Sequence, residues 1–77
     1  MIYNIELTDT FGGEANYSWV KRKSFEAPDT LSKLAVIRRA KALLDLNGIR
    51  TTTENWGDMY CLKIHSACMV AFISWEA

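Results

Sequence analysis

The sequence predicts an α+β fold, one α-helix packed on an antiparallel sheet in the order ββαβββ, with ββαββ as the alternative if residues 50–55 form a loop. Three observations predict it. Apolar and polar residues alternate in the first and last thirds of the chain, the middle third carries a single stretch of helical periodicity, and Gly- and Asp-containing turns separate these stretches. At 77 residues the chain has room for one core, since a domain of this size buries about 60% of the surface its unfolded chain exposes. Residues 1–77 are therefore read as a single domain.

The first strand follows from Ile2 to Thr8, where Tyr3, Ile5 and Leu7 fall on one face and Asn4, Glu6 and Thr8 on the other. Turn-forming residues Asp9 to Gly13 lead into Ala15 to Phe25, its hairpin partner. That second run keeps no single parity: Tyr17, Trp19 and Phe25 share a face with Lys21 and Lys23, whereas Val20 lies with Ser18 and Arg22, which points to a bulge near Val20. Pro28-Asp29-Thr30 opens the helix, with Asp29 or Thr30 as its cap, and Gly48 closes it. Val36, Ile37, Ala40, Leu43 and Leu44 recur on one stripe, the core face. A second apolar strip, Leu31, Leu34, Ala35, Ala42 and Leu46, is interleaved with the helix charges.

Beyond the helix, threonine-rich Arg50 to Asn55 reads as a strand, Trp56-Gly57-Asp58 as a turn, and Met59 to His65 as a strand with Tyr60, Leu62 and Ile64 inward. A turn at Ser66-Ala67 returns the chain through Met69 to Trp75. In that last run both parities are apolar, so both faces are expected to be shielded, while one helix covers only one of them. Met69, Ile73 and Trp75, joined by Trp19 and Met59, are accordingly expected to form an apolar patch on the open sheet face and to be a protein interface or a homodimer contact. Trp56, at a turn tip, is a candidate anchor of the type enriched in binding hot spots.

Formal charge is zero, yet the charges are segregated. Residues 20–50 carry eight cations against three carboxylates, a balance of +5, and the remainder carries Lys63 against six carboxylates, a balance of −5. Such a dipolar distribution orients partners. Lys21, Arg22 and Lys23 beside Trp19, with Arg38, Arg39 and Lys41 on the helix, make a nucleic-acid surface the alternative to a protein surface, since cations contact phosphate and a ring stacks on bases. The plainer account is a solvated helix face and a lysine-decorated edge strand.

Catalytic readings find little support. His65, the one histidine, shares a strand face with Cys61 at roughly 13 Å, too far for a nucleophile and its base. His65 and Cys68 meet across the turn without an orienting acid, and zinc would lack a fourth ligand beside these three. Gly12-Gly13 lacks the Lys-Ser/Thr of a phosphate loop, and Glu6/Asp9 and Glu54/Asp58 lie in no apolar context that would raise one pKa. No catalytic residue, cofactor, metal or small-molecule substrate is assigned. The start of the chain has no basic segment followed by an apolar run, no stretch approaches the ~20 apolar residues of a spanning helix, and two cysteines are too few for a disulfide scaffold. The chain is thus expected to be a soluble cytoplasmic protein with reduced thiols and no membrane partner.

The stretch Phe11-Gly12-Gly13-Glu14-Ala15-Asn16-Tyr17-Ser18-Trp19-Val20, with the later Asn55-Trp56-Gly57-Asp58-Met59 turn, resembles short uncharacterised proteins encoded in bacteriophages and prophages. The resemblance names no activity. It implies an accessory protein of a phage or mobile element, acting in a bacterial cytoplasm by binding a host protein.

Overall fold

Both strands of the first hairpin run past the boundaries that periodicity suggests, the first by three residues and the second by one at each end. In the computed structural model, which describes residues 1–76, β1 (Ile2–Phe11) and β2 (Glu14–Glu26) form one long antiparallel hairpin. Its turn is only Gly12-Gly13, with φ of 63° and 85°. Two successive positive φ angles match the right-handed twist of the flanking strands, and glycine adopts them without a Cβ penalty. The chain then crosses the sheet through α1 (Lys33–Leu43) to β3 (Thr52–Asn55) on the far edge, and returns through β4 (Met59–Ile64), a 3₁₀ turn at His65–Ala67 and β5 (Met69–Glu76). The ββαβββ order stands, and residues 52–55 are a strand.

The five strands are arranged β2-β1-β5-β4-β3, with every neighbouring pair antiparallel. The C-terminal strand is central, which accounts for its two apolar parities. One layer of core lies between the sheet and α1: Tyr3, Ile5, Leu7, Leu62, Ile64, Ala71 and Ile73 from the sheet meet Val36, Ile37, Ala40 and Leu44 from the helix. Leu43, expected on that stripe, is 39% exposed, because the helix ends there and the chain turns away.

Both helix ends differ in detail from expectation. The N-cap is Ser32, whose Oγ accepts from the Ala35 N–H at 3.2 Å; Pro28 to Leu31 instead close a turn, the Leu31 N–H donating to the Pro28 carbonyl at 3.1 Å. At the other end Asp45 takes the left-handed conformation, φ 57°. The Leu46 N–H then reaches the Lys41 carbonyl at 2.8 Å and the Asp45 N–H the Ala42 carbonyl at 3.2 Å, the paired bonds of a Schellman motif. Leu46 is buried by this turn and Leu31 packs against the core, so two of the five residues of the second apolar strip serve the interior, while Leu34 remains 65% exposed. Gly48 sits beyond the closure, not at it.

An aromatic row runs across the helix side at one end of the sheet. Phe25 stacks on Tyr3 at 5.0 Å, Tyr3 meets Trp75 at 6.2 Å, and Trp75 meets Tyr60 at 4.8 Å between ring centroids. Two helix cations cap it, Arg39 over Phe25 at 5.3 Å and Lys33 over Tyr60 at 5.5 Å.

Candidate functional site

The register of β5 decides which of its faces is free. Tyr3 pairs with Trp75, Ile5 with Ile73 and Leu7 with Ala71, and residues directly opposed across an antiparallel pair share a face. Met69, Ile73 and Trp75 therefore point toward α1, not away from it. Ile73 is fully buried, and Met69 and Trp75 pack against the core. This corrects the expected interface: of its four residues Ile73 is interior and Met69 and Trp75 are half-buried on the helix side, so the open-face homodimer contact built on them loses its surface. Trp19, the fourth, is 43% exposed on β2.

The open face is made by the other parity. It presents Asn4, Glu6 and Thr8 from β1, Arg22 and Ser24 from β2, Val70, Phe72 and Ser74 from β5, Met59, Cys61 and Lys63 from β4, and Glu54 from β3. Two shallow concavities of about 780 and 570 Å³ lie along it, and Trp56 and Phe72 line both. Their ring centroids are 5.9 Å apart at an angle of 53°, the tilted geometry aromatic pairs prefer. Trp56 stays 53% exposed. It is held out by its turn: Asn55 Oδ1 accepts from the Gly57 N–H at 2.9 Å, and the Trp56 N–H donates to the Met59 carbonyl at 2.9 Å. The turn chemistry around Trp56 makes it legible in the sequence as a surface anchor. Phe72 is not legible from β5 alone, because both parities of that strand are apolar and its pattern does not choose a face.

The rim of this face is polar. Arg22 pairs with Glu6 at 3.4 Å and Lys63 with Glu54 at 3.0 Å, both solvent-exposed pairs of small energetic weight. Tyr17 reaches the larger concavity from a bulge in β2 where Asn16 to Trp19 face the single residue Asp9, immediately before the Val20 position expected from sequence. The bulge is tied down by side chains. Thr8 Oγ1, fully buried, accepts from the Tyr17 N–H and donates to the Trp19 carbonyl, both at 3.0 Å. Asp9 accepts from the Ser18 N–H and from Asn16 Nδ2, both at 2.9 Å. The Ser18 hydroxyl first, the Asn16 amide second and, more weakly, the Ser18 N–H hold the Asp9 carboxyl well below the usual carboxylate range. With its backbone fixed this way, Tyr17 keeps a left-handed φ of 55°.

The six candidate nucleic-acid contacts do not form one surface. Arg22 lies on the open face, while Lys21 and Lys23 alternate to the helix side of β2. Arg38 and Lys41 line a separate groove between α1 and β3. On the helix, Arg39 is occupied by the Phe25 ring and Lys41 Nζ donates to the Ile49 carbonyl at 2.7 Å.

Cys61 is buried on the open side beneath this rim, and burial pushes its thiol pKa up, away from nucleophile chemistry at neutral pH. Cys68 is exposed at φ 51° after the 3₁₀ turn, and Cys61 pairs across the sheet with Phe72, so the two thiols are not opposed. His65 Nε2 lies 3.1 Å from Thr52 Oγ1. Among the described residues, no three His, Cys, Asp or Glu side chains gather as metal ligands, and no helix is long and apolar enough to cross a membrane. Compared with protein-family models, curated proteins and solved structures, the chain matches none of them.

Proposed function

We propose that the protein is a non-catalytic binding module whose open sheet face engages a partner protein. The observation that carries this reading is the half-exposed Trp56 ring against Phe72 at the meeting point of two concavities, on the one sheet face that α1 leaves uncovered. An amphipathic ring fixed by a turn, surrounded by polar groups able to exclude water, has the make-up of a binding hot spot. The raised pKa of Cys61 and the scatter of the acidic residues support a binding role over a catalytic one. Nucleic acid is the weaker reading, because Arg39 and Lys41 already serve the fold. The resemblance to phage and prophage proteins fits an accessory role in which the partner belongs to the bacterial host.

Photo-crosslinking tests the surface whatever the partner's identity. A crosslinking residue at position 74, which lines the larger concavity beside the Trp56–Phe72 pair, is expected to give discrete protein adducts in bacterial cells, lost on Trp56→Ala, while one at exposed Leu34 on the helix gives none. Equal adducts from both positions, or nucleic-acid adducts from the helix side, would refute the assignment. Circular dichroism of each variant separates lost contact from lost fold.

A further inference from the structure

The two edges of the sheet are unlike. β3 is four residues long, whereas β2 runs for 13 residues with every side chain exposed or half-buried, and among the described residues its outer side pairs with no strand. Between Val20 and Glu26 the strand is regular, each residue matched singly to β1, so about 23 Å of edge presents outward-facing N–H and C=O groups at every second residue. Free edges of this length invite a further strand unless charge or a bulge blocks it. Here the bulge is confined to Asn16–Trp19, leaving the regular stretch open.

The charges on that stretch choose the occupant. Lys21 and Lys23 project to the helix side and Arg22 to the open side, so an added strand meets a cation on either face. Of the three, only Arg22 has a carboxylate partner among the described residues, Glu6 at 3.4 Å. Pairing two copies over the whole stretch sets Lys23 against Lys23 and brings three cations against one carboxylate, Glu26, from each copy to one seam, which like-charge opposition disfavours. A polynucleotide backbone answers the cations but offers only acceptors to an edge that alternates donors with acceptors. An extended peptide answers both, provided its side chains are acidic.

We infer that the Val20–Glu26 edge of β2 is a docking site for an acidic, extended polypeptide segment, which joins the sheet as a sixth strand. The site is separate from the open face: a partner held there would be gripped by backbone pairing with acidic side chains over Lys21 and Lys23, and Trp56 takes no part.

The probe is a capped heptapeptide alternating glutamate and valine, titrated into the isotopically labelled protein at low salt. Expected are shifts and slowed hydrogen exchange confined to alternate amides of residues 20–26, with affinity about tenfold weaker in the double variant Lys21→Glu, Lys23→Glu. A peptide of the same composition N-methylated along its pairing edge is expected to lose binding, and Trp56→Ala to leave it unchanged. Failure of the Trp56-dependent crosslinks would not touch this result, nor the reverse. Three results would overturn the inference: no binding at millimolar peptide, binding that survives N-methylation, or an oligothymidylate that shifts the same amides more strongly than the peptide.

Discussion

Replacing Trp75 with alanine separates an interior role from a surface role for the residue whose placement differs most between sequence and structure. Trp75 is half-buried, opposite Tyr3 in the β1–β5 register, and it links Tyr3 to Tyr60 in the aromatic row. Deleting a fully buried aromatic costs about 3–5 kcal/mol, and each aromatic pair adds about 0.5–1.5 kcal/mol. Partial exposure reduces the first contribution, so a loss of about 3 kcal/mol is expected. A domain of this length is stable by roughly 4–12 kcal/mol, and a midpoint falls by about 4–8 °C per kcal/mol. Urea unfolding followed by circular dichroism is therefore expected to show a much lower midpoint, with thermal melting lowered by about 12–24 °C. The control is Trp56→Ala, a half-exposed ring on a turn, for which a loss below about 1 kcal/mol is expected. A Trp75→Ala protein within about 0.5 kcal/mol of the parent would refute the interior placement and restore the ring to a contact surface.

Two further outcomes follow from local geometry. The pKa of Asp9 is lower in the folded than in the unfolded chain, so its contribution is complete above the ordinary value of 3.8 and fades as pH falls from there toward the folded-state value; the Ser18 and Asn16 bonds are expected to loosen over that window, seen as acid-dependent shifts of the Ser18 amide, and an unchanged profile in Asp9→Asn would count against it. Asp45→Gly relieves a left-handed non-glycine residue at the Schellman position and is expected to raise stability by roughly 0.5–1 kcal/mol in chemical denaturation, whereas a loss would mean that the Asp45 side chain supports the turn.

The architecture is readable because each element carries its own period. Tyr3-Ile5-Leu7 and Tyr60-Leu62-Ile64 alternate cleanly, and Val36-Ile37-Ala40-Leu44 fall on one helical stripe, so the core residues of both layers announce themselves. Helix ends are less legible. Asp29, Thr30 and Ser32 are all competent caps, and the choice among them depends on Leu31 packing against the core after the Pro28 turn. The face of β5 is a different matter. Both its parities are apolar, so periodicity cannot orient it, but the Ser66-Ala67 turn expected from sequence pairs His65 with Cys68 and hence Ile64 with Met69. That register already sets Met69, Ile73 and Trp75 on the core side, and it is the one observed. The interface is misplaced when parity is taken strand by strand rather than carried across the turn.

The open face follows from a mismatch of size. An 11-residue helix is about 16 Å long and lies on one side of a five-stranded sheet, so the other side has no covering element among the described residues. A wholly apolar second face would aggregate. Here the exposed parity is largely polar, Asn4, Glu6, Arg22, Ser24 and Ser74, while Val70, Thr8 and Cys61 are shielded by neighbouring side chains and the β2 bulge. The apolar area left accessible is thereby gathered at the Trp56 ring and half-buried Phe72, with half-exposed Tyr17 at the edge of the larger concavity. A surface built this way gains its affinity from one or two rings and its solubility from everything around them. Loss of either ring should then weaken a partner's grip far more than any single change in the polar rim, a contrast that a broad hydrophobic interface would not produce.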